Sequence, residues 1–208
     1  MNILAIGAHF DDVELGCGGC LFYWKDQGHN INIFTATLSG YHNSMGDVVR
    51  SDEVAIAEGQ QAAQFLEAKL IRGNFPTFEL EFAEPLNQKL ITVIDQVQPD
   101  LVLTHWSGDI HHDHRELALA TLHCCRHIPK LLTYCSNWYE SDRRFDPRFF
   151  VDISNSLDRK IELIKIYQSE NLRTNQVWLD YTYSQARLMG LKAAVKYAEG
   201  FEVVRWCI

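Results

Sequence analysis

Two short runs concentrate imidazole and carboxylate side chains: His9-Phe10-Asp11-Asp12-Val13-Glu14 and His111-His112-Asp113-His114. They lie roughly a hundred residues apart, and each comes after an apolar, strand-like segment. Two imidazoles and one carboxylate drawn from such runs form a borderline-soft N/N/O donor set. That set suits Zn²⁺ with an open fourth position, at about 2.0–2.2 Å per protein ligand. A cation held this way lowers the pKa of its water to roughly 7 and polarises a carbonyl. Read together, the runs are the split halves of one mononuclear metal site suited to metal-assisted hydrolysis of an amide-like bond. Helix capping is the competing reading, because Asp11 to Glu14 and Asp113 to Glu116 both have capping-box spacing. Capping, however, does not ask for histidine.

Elements of two kinds must bring the runs together. Candidate strands are Ile3 to Ala8, Ile31 to Leu38, Lys69 to Arg72, Leu101 to Thr104 and Leu131 to Cys135, several of them nearly continuous in apolar residues. Such runs fit strands covered on both faces. Helical patterns fall at Val13 to Gln27, Asp47 to Leu66, Pro85 to Val97 and His114 to His127. The β-α-β-α order implies a mostly parallel sheet with helices on both sides, a Rossmann-like α/β three-layer sandwich. In such sheets ligands bind outside the carboxyl ends of the strands, which is where both runs fall. Beyond Tyr134 the texture changes to a loop-rich stretch, and two further helices, about Ser154 to Ser169 and Tyr181 to Glu199, are expected to finish the chain.

The 208 residues, 47% hydrophobic and 22% charged, read as one domain over residues 1–208, with no repeat, linker or disordered tract. A net charge of -8 and a pI near 5.5 argue against nucleic acid, which needs clustered cations, and favour a small-molecule partner. No apolar run approaches the roughly 20 residues that span a bilayer, so no membrane partner is expected. The first residues carry no basic lead-in or cleavage pattern. A cytoplasmic location with reduced cysteines follows as the expectation.

Ala8-His9-Phe10-Asp11-Asp12-Val13-Glu14-Leu15-Gly16-Cys17-Gly18-Gly19 resembles the first signature of the LmbE-like, or PIG-L, zinc-dependent N-deacetylases. His111-His112-Asp113-His114-Arg115 resembles that family's second motif. Arg50-x-x-Glu53 and Tyr197-Ala198-Glu199-Gly200-Phe201 resemble supporting elements, so the likeness spans most of the chain. The resemblance implies His9, Asp12 and His114 as ligands of one Zn²⁺ per chain. It implies Asp11 as general base, His111 as acid or oxyanion stabiliser, and Asp113 as the group orienting His111. The implied substrate is a soluble N-acylated, most commonly N-acetylated, amino sugar or sugar conjugate. Members of that family often form homo-oligomers, though no apolar stripe here marks an interface.

Several positions depart from the pattern. Phe10 and His112 stand where proline is usual, which removes a fixed φ from each turn. Asp109 stands where some members carry tyrosine, adding negative charge near the expected pocket mouth and making it, with Arg50, a candidate substrate contact. Tyr167-Gln168-Ser169-Glu170 departs from a His-x-Ser-Gln run often seen near the C-terminal helices. Arg50 is a candidate for binding a substrate phosphate or carboxylate bidentately, or else pairs with Glu53. Trp106, Trp138 and Tyr139 are placed to stack on a sugar, although burial is the commoner fate of aromatics. His105 ends a strand on the same side and reads equally as a core histidine.

Rival functions keep other residues in play. Cys17-x-x-Cys20 has the spacing of a thiol-disulfide oxidoreductase. Asp11, Asp12 and Glu14 lie just upstream, however, and nearby anions raise a thiol pKa that redox chemistry needs lowered. A non-haem iron enzyme would use the same His/Asp/His donors, but the additional acid and base suit hydrolysis better. His123 and His127 lie one helical turn apart and imitate a metal pair, yet a helix C-terminus explains them as well. A non-catalytic binding protein on the same fold would not need all of these polar residues.

Overall fold

A computed structural model describes residues 1–207. Strands β1 (Asn2–Gly7), β2 (Asn30–Thr37), β5 (Lys69–Phe75), β6 (Leu101–His105) and β7 (Lys130–Tyr134) are parallel neighbours in one sheet, ordered β5-β2-β1-β6-β7. Strand β9 (Ala198–Trp206) then runs antiparallel to β7, and β8 (Phe149–Asp152) antiparallel to β9. A short hairpin, β3 (Tyr41–His42) and β4 (Val48–Arg50), stands apart from this sheet. The mostly parallel α/β sandwich expected from the sequence is therefore present, with an antiparallel edge that was not expected.

Strand β1 shows why the sheet is covered on both faces. Ile3 and Ala5 enter one core with helix α1 (Asp12–Asp26) and helix α5 (Leu157–Lys165), while Leu4 and Ile6 enter the other with α3 (Glu84–Val97) and α4 (His112–Cys124). Successive residues of a strand point to opposite faces, so a strand feeding two cores must be apolar throughout. Helix α3 shows the complementary pattern, burying Leu86, Leu90, Val93 and Val97 on one stripe.

Three boundaries differ from the sequence expectation. The helix anticipated from Asp47 begins instead at α2 (Asp52–Phe65), where the Ser51 hydroxyl accepts from the Val54 amide as N-cap; the preceding residues form β4. The helix expected over Ser154 to Ser169 is broken at Ile166 and Tyr167 into α5 and α6 (Gln168–Arg173). The last helix, α7 (Val177–Ala193), stops early, and the chain continues as β9. Among the described residues no helix is long and apolar enough to cross a membrane.

Chain order reverses at β1, whose neighbours β2 and β6 carry the chain away in opposite directions. The crevice at such a switch point, beyond the carboxyl ends of the strands, is where open α/β sheets bind ligands. His9 follows β1 and the second run follows β6, so both flank this crevice. Helix α1 must pack closely to seat its first turn there. A Cβ at Gly16 would lie 2.1 Å from the ring of Tyr134, whose hydroxyl donates to the Ile6 carbonyl at 2.7 Å. Gly16→Ala is expected to destabilise the fold by about 1–3 kcal/mol through overpacking, read as a lower denaturation midpoint at unchanged m-value.

Candidate metal centre

The turn between β1 and α1 is held open for chemistry by its backbone. Asp11 is the N-cap residue of α1 yet makes no side-chain capping bond, and its φ of 129° lies where L residues are strained. Such a conformation costs on the order of 1–3 kcal/mol and persists only when its surroundings impose it. The Phe10 amide donates to Ser39 Oγ at 2.9 Å, a bond that proline could not make. The Phe10 ring is buried close to Gly59, so this departure from the family pattern anchors the turn in the core. Neither capping box of the competing reading forms, because Asp113 also points away from its own helix terminus.

Three donors converge where the two runs meet. His9 Nδ1 lies 3.2 Å from Asp12 Oδ2, His114 Nε2 lies 3.2 Å from Asp12 Oδ1, and the two ring nitrogens are 3.3 Å apart. Ligands about 2.0–2.1 Å from a tetrahedral cation sit about 3.4 Å from one another, so the spacing fits a single ion. Each ring has a carboxylate behind it. Asp113 Oδ2 is 2.9 Å from His9 Nε2, and Asp109 Oδ2 is 2.9 Å from His114 Nδ1. Carboxylates placed this way hold the N–H on the far nitrogen and turn the lone pair of the near one inward. Two inward lone pairs and an acidic oxygen repel one another unless a cation or a proton lies among them.

Other histidines crowd the same place. Donor atoms of His9, His111 and His114, and of Asp12, His105 and His114, lie within 4.8 Å of one another in each group. Ring geometry separates the candidates. Two imidazoles on one tetrahedral ion hold their ring centres about 5 Å apart, which the 5.3 Å of His9 and His114 matches. His105 and His111 instead stack on opposite sides of His114, at 4.0 Å and 4.2 Å with interplanar angles of 14° and 24°. Stacked rings aim their nitrogens side by side and not at one point. His105, the histidine with two readings in the sequence, is wholly buried beneath the centre with Nε2 3.2 Å from Asp12 Oδ2.

Charge follows this geometry. Burial works against the positive form of His9, but its bonds to Asp113 and Asp12 prevail and raise its pKa to about 9. Burial is likewise outweighed at His114, where Asp12 and Asp109 raise the value to about 10. Burial, reinforced by the charges of His114 and His9, depresses His111 to about 4. For Asp11, burial and then the charge of Asp12 push the carboxyl well above the usual range, against the pull of Arg50. Asp12 moves the other way, because His114 and His105 outweigh its burial.

Several expected neighbours lie elsewhere. Asp113 contacts His9 where the resemblance placed it with His111, whose Nδ1 is buried without a hydrogen-bond partner among the described residues. Asp109, expected near the pocket mouth, is buried behind His114 and accepts from the His111 amide at 2.8 Å and Asn137 Nδ2 at 2.7 Å. Arg50 pairs with Asp11 at 3.1 Å and with Glu58 at 2.9 Å, not with Glu53. Trp106 is buried against Phe145, whereas Trp138 and Tyr139 do line the site. Cys17 and Cys20 are buried in α1, donate to helix carbonyls, and have thiols raised by burial, which removes them from redox chemistry.

A cavity of about 460 Å³ opens over the centre. Its walls include residues that motif reading missed: Ser39 and Tyr41 after β2, Phe78 after β5, and Ser136 and Asn137 after β7. The carboxyl-end rule that located His9 and His111 pointed to these loops as well. Glu170 and Arg173 come from α6, for which no such signal existed.

Fold and centre together define an α/β protein that gathers histidines and carboxylates at its switch point into a group that could hold a metal ion. The family described as PIG-L, GlcNAc-PI de-N-acetylase, matches residues 4–125. The chain belongs to this LmbE-like family of metal-dependent deacetylases. It is 32% identical over 167 residues to the uncharacterized deacetylase YaiS of Escherichia coli K12, covering 73% of this chain and 82% of that protein. It is 23% identical to a diacetylchitobiose deacetylase of Thermococcus kodakarensis, over 98% of this chain and 83% of the other. In structure it is similar to the 4-carboxy-2-hydroxymuconate hydratase of Pseudomonas putida KT2440, with a TM-score of 0.81, 18% identity, and coverage of 100% and 98% of the two chains.

The raised imidazole values make two outcomes measurable. The folded metal-free protein keeps protons on His9 and His114 that the unfolded chain releases above about 6.5. The stability they contribute is complete below that pH and is lost as pH rises through about 9 and about 10. Denaturant titrations of chelator-treated protein from pH 6 to 10 should show this decline. Adding Zn²⁺ at pH 7.5 should expel protons, read as a binding enthalpy that varies with buffer ionisation enthalpy.

Proposed function

We propose that this chain is a zinc-dependent hydrolase that removes an N-acyl group, principally acetyl, from an amino sugar or sugar conjugate. One Zn²⁺ per chain is held by His9 Nδ1, Asp12 and His114 Nε2. The observation that carries this reading is the inward-facing pair of ring nitrogens, each backed by its own carboxylate and closed by Asp12. When bound there, the cation supplies an acidified water and a polarised acyl oxygen.

The chain's own groups supply the rest. Asp11 lines the cavity with one oxygen 3.1 Å from Arg50 Nη1. It takes the proton from the attacking water, and its buried carboxyl can hold that proton until the amine departs. His111 lines the same cavity and has no carboxylate on Nδ1 to sustain a positive charge. It therefore serves the acyl oxygen as a neutral hydrogen-bond donor, in place of the leaving-group acid that the family pattern also allows. Asp109 and Asp113 orient His114 and His9, and neither touches substrate. Tyr139 and Trp138 give the outer wall an aromatic surface for a sugar ring. The domain acts as one unit, and its six unpaired cysteines suit the reducing cytoplasm.

A screen for primary-amine release from N-acylated sugars, nucleotide sugars and glycosides, with and without added Zn²⁺, tests the reaction. Hydration without amine release would instead align the chain with the hydratase that shares its fold. Asp11→Asn should retain about one metal per chain and lose roughly 10²–10⁴-fold in kcat. His9→Ala and His114→Ala should lose metal by elemental analysis. Stoichiometric zinc in both alanine variants would remove the ligand assignment, and stoichiometric iron with oxygen uptake would favour the oxygenase rival.

A further inference from the structure

The loop between β5 and α3 makes an unusual set of contacts. The buried carboxylate of Asp113 is shared three ways: Oδ2 faces His9 Nε2 at 2.9 Å and accepts from the Phe78 amide at 2.8 Å, while Oδ1 accepts from the Leu80 amide at 3.2 Å. One helical turn on, Glu116 Oε2 accepts from the Phe82 amide at 3.2 Å. The two acids spaced as a capping box thus hold a neighbouring loop instead of their own helix end.

What the loop presents is equally specific. Phe78 has a φ of 68°, a left-handed conformation that is a real outlier for a bulky side chain. The residue is 51% exposed and lines the cavity, and its ring lies 6.3 Å from the His9 ring and 5.7 Å from the His111 ring. Tyr41, from the connection after the neighbouring strand β2, braces it edge-on at 5.9 Å. Backbone strain of this kind persists only where fixed partners impose it, and the Asp113 oxygens are those partners. An apolar ring held half open beside a polar centre is a surface made ready for a ligand.

We propose that Phe78 is the platform on which the apolar face of the sugar ring packs, and that Asp113 couples the seating of its loop to the metal ligand His9. The proposal rests on reading the centre as a hydrolase of acylated sugars. Asp113 is a positioning residue, and Phe78 contacts substrate. A cation drawing on the His9 lone pair makes the ring's far N–H a stronger donor. That fixes the Asp113 carboxylate, and with it the amides of residues 78 and 80. Metal loading and wall placement are then linked, and by reciprocity a well-seated loop tightens metal binding.

Amide hydrogen exchange with and without Zn²⁺, alongside calorimetric Zn²⁺ binding, tests the coupling. In the unsubstituted chain Zn²⁺ should slow exchange at the Phe78 and Leu80 amides by roughly tenfold or more. In Asp113→Asn, which offers one acceptor oxygen where the carboxylate offers two, that slowing should vanish and Zn²⁺ should bind on the order of 10–100-fold more weakly. Zn²⁺ that binds the unsubstituted chain without slowing these amides overturns the coupling alone. Zn²⁺ that does not bind at all overturns the functional reading and the coupling with it. The platform has its own variants should Asp113→Asn fail to fold. Phe78→Leu should raise KM for the acylated sugar by about tenfold, with the loss falling on KM and not on kcat, and Phe78→Tyr should restore it. A KM in Phe78→Leu equal to that of the unsubstituted chain overturns the platform.

Discussion

An ionised carboxylate buried as deeply as that of Asp12 is unfavourable unless other groups answer its charge, and most of this molecule's architecture can be traced to that answer. The His9 amide donates to it at 2.7 Å and Ser136 Oγ at 3.0 Å, while His9, His105 and His114 place ring nitrogens at 3.2 Å. These partners come from the ends of β1, β6 and β7 and from the start of α4. No local segment could assemble them. They meet because β1 lies beside β6 and β6 beside β7 in parallel, so all three strands deliver their following loops to the same edge. The sheet order is in that sense a requirement of one buried anion.

The adjoining acid is managed differently. Asp11 sits next to Asp12 in sequence, but the strained turn directs its carboxylate towards Arg50, which is itself buried between Asp11 and Glu58. Glu58 in turn accepts from the Ser169 amide at 2.8 Å and from its hydroxyl at 2.6 Å, reaching the helix that carries Glu170 and Arg173 into the cavity wall. One chain of charge-assisted bonds therefore runs from the candidate base to the far wall. Charge-assisted bonds are the stronger kind, and inside a protein they reinforce one another, so this wall is positioned against the same turn that positions the centre.

How much of this could be read from the sequence depends on what each feature uses as its signal. The five parallel strands were legible because a strand buried on both faces must be continuously apolar, and the two His-and-carboxylate runs were legible because their chemistry is rare outside sites. Asp109 is visible as an acid but not as the partner of His114, and Asp113 is expected behind His111 but lies behind His9, since pairing is set by how α4 meets β1 and the loop after β5. The end of α7 carried no stop signal: its C-cap is Ala194 in a left-handed conformation, not glycine, and no glycine follows until Gly200. The expected helix consequently overruns the start of β9, at Ala198 and Glu199. The break at Tyr167 is similar, because no proline or glycine marks it and the cause is a buried ring packed into the core. Before α2 the turn signal Asn43-Ser44-Met45-Gly46 is respected, but the helical period extends back to Asp47, past the true N-cap Ser51.

The departures from the family pattern fall on groups that shape the centre without supplying its donors. Phe10 replaces proline at a turn, and the structure uses the gained amide to bind Ser39 and the gained ring to fill space over Gly59. Asp109 stands where some members carry tyrosine and turns inward to face His114 at 2.9 Å, not towards the cavity. A donor set that must surround one ion within a few ångströms tolerates little change, because each ligand's position is fixed by the others. Loops that only wall the cavity are under no such mutual constraint. The room left for variation in this chain therefore lies in the segments after β2, β5 and β7 and in α6, where Tyr41, Phe78, Asn137 and Arg173 line the cavity, and not in the histidines and aspartates that make the centre recognisable.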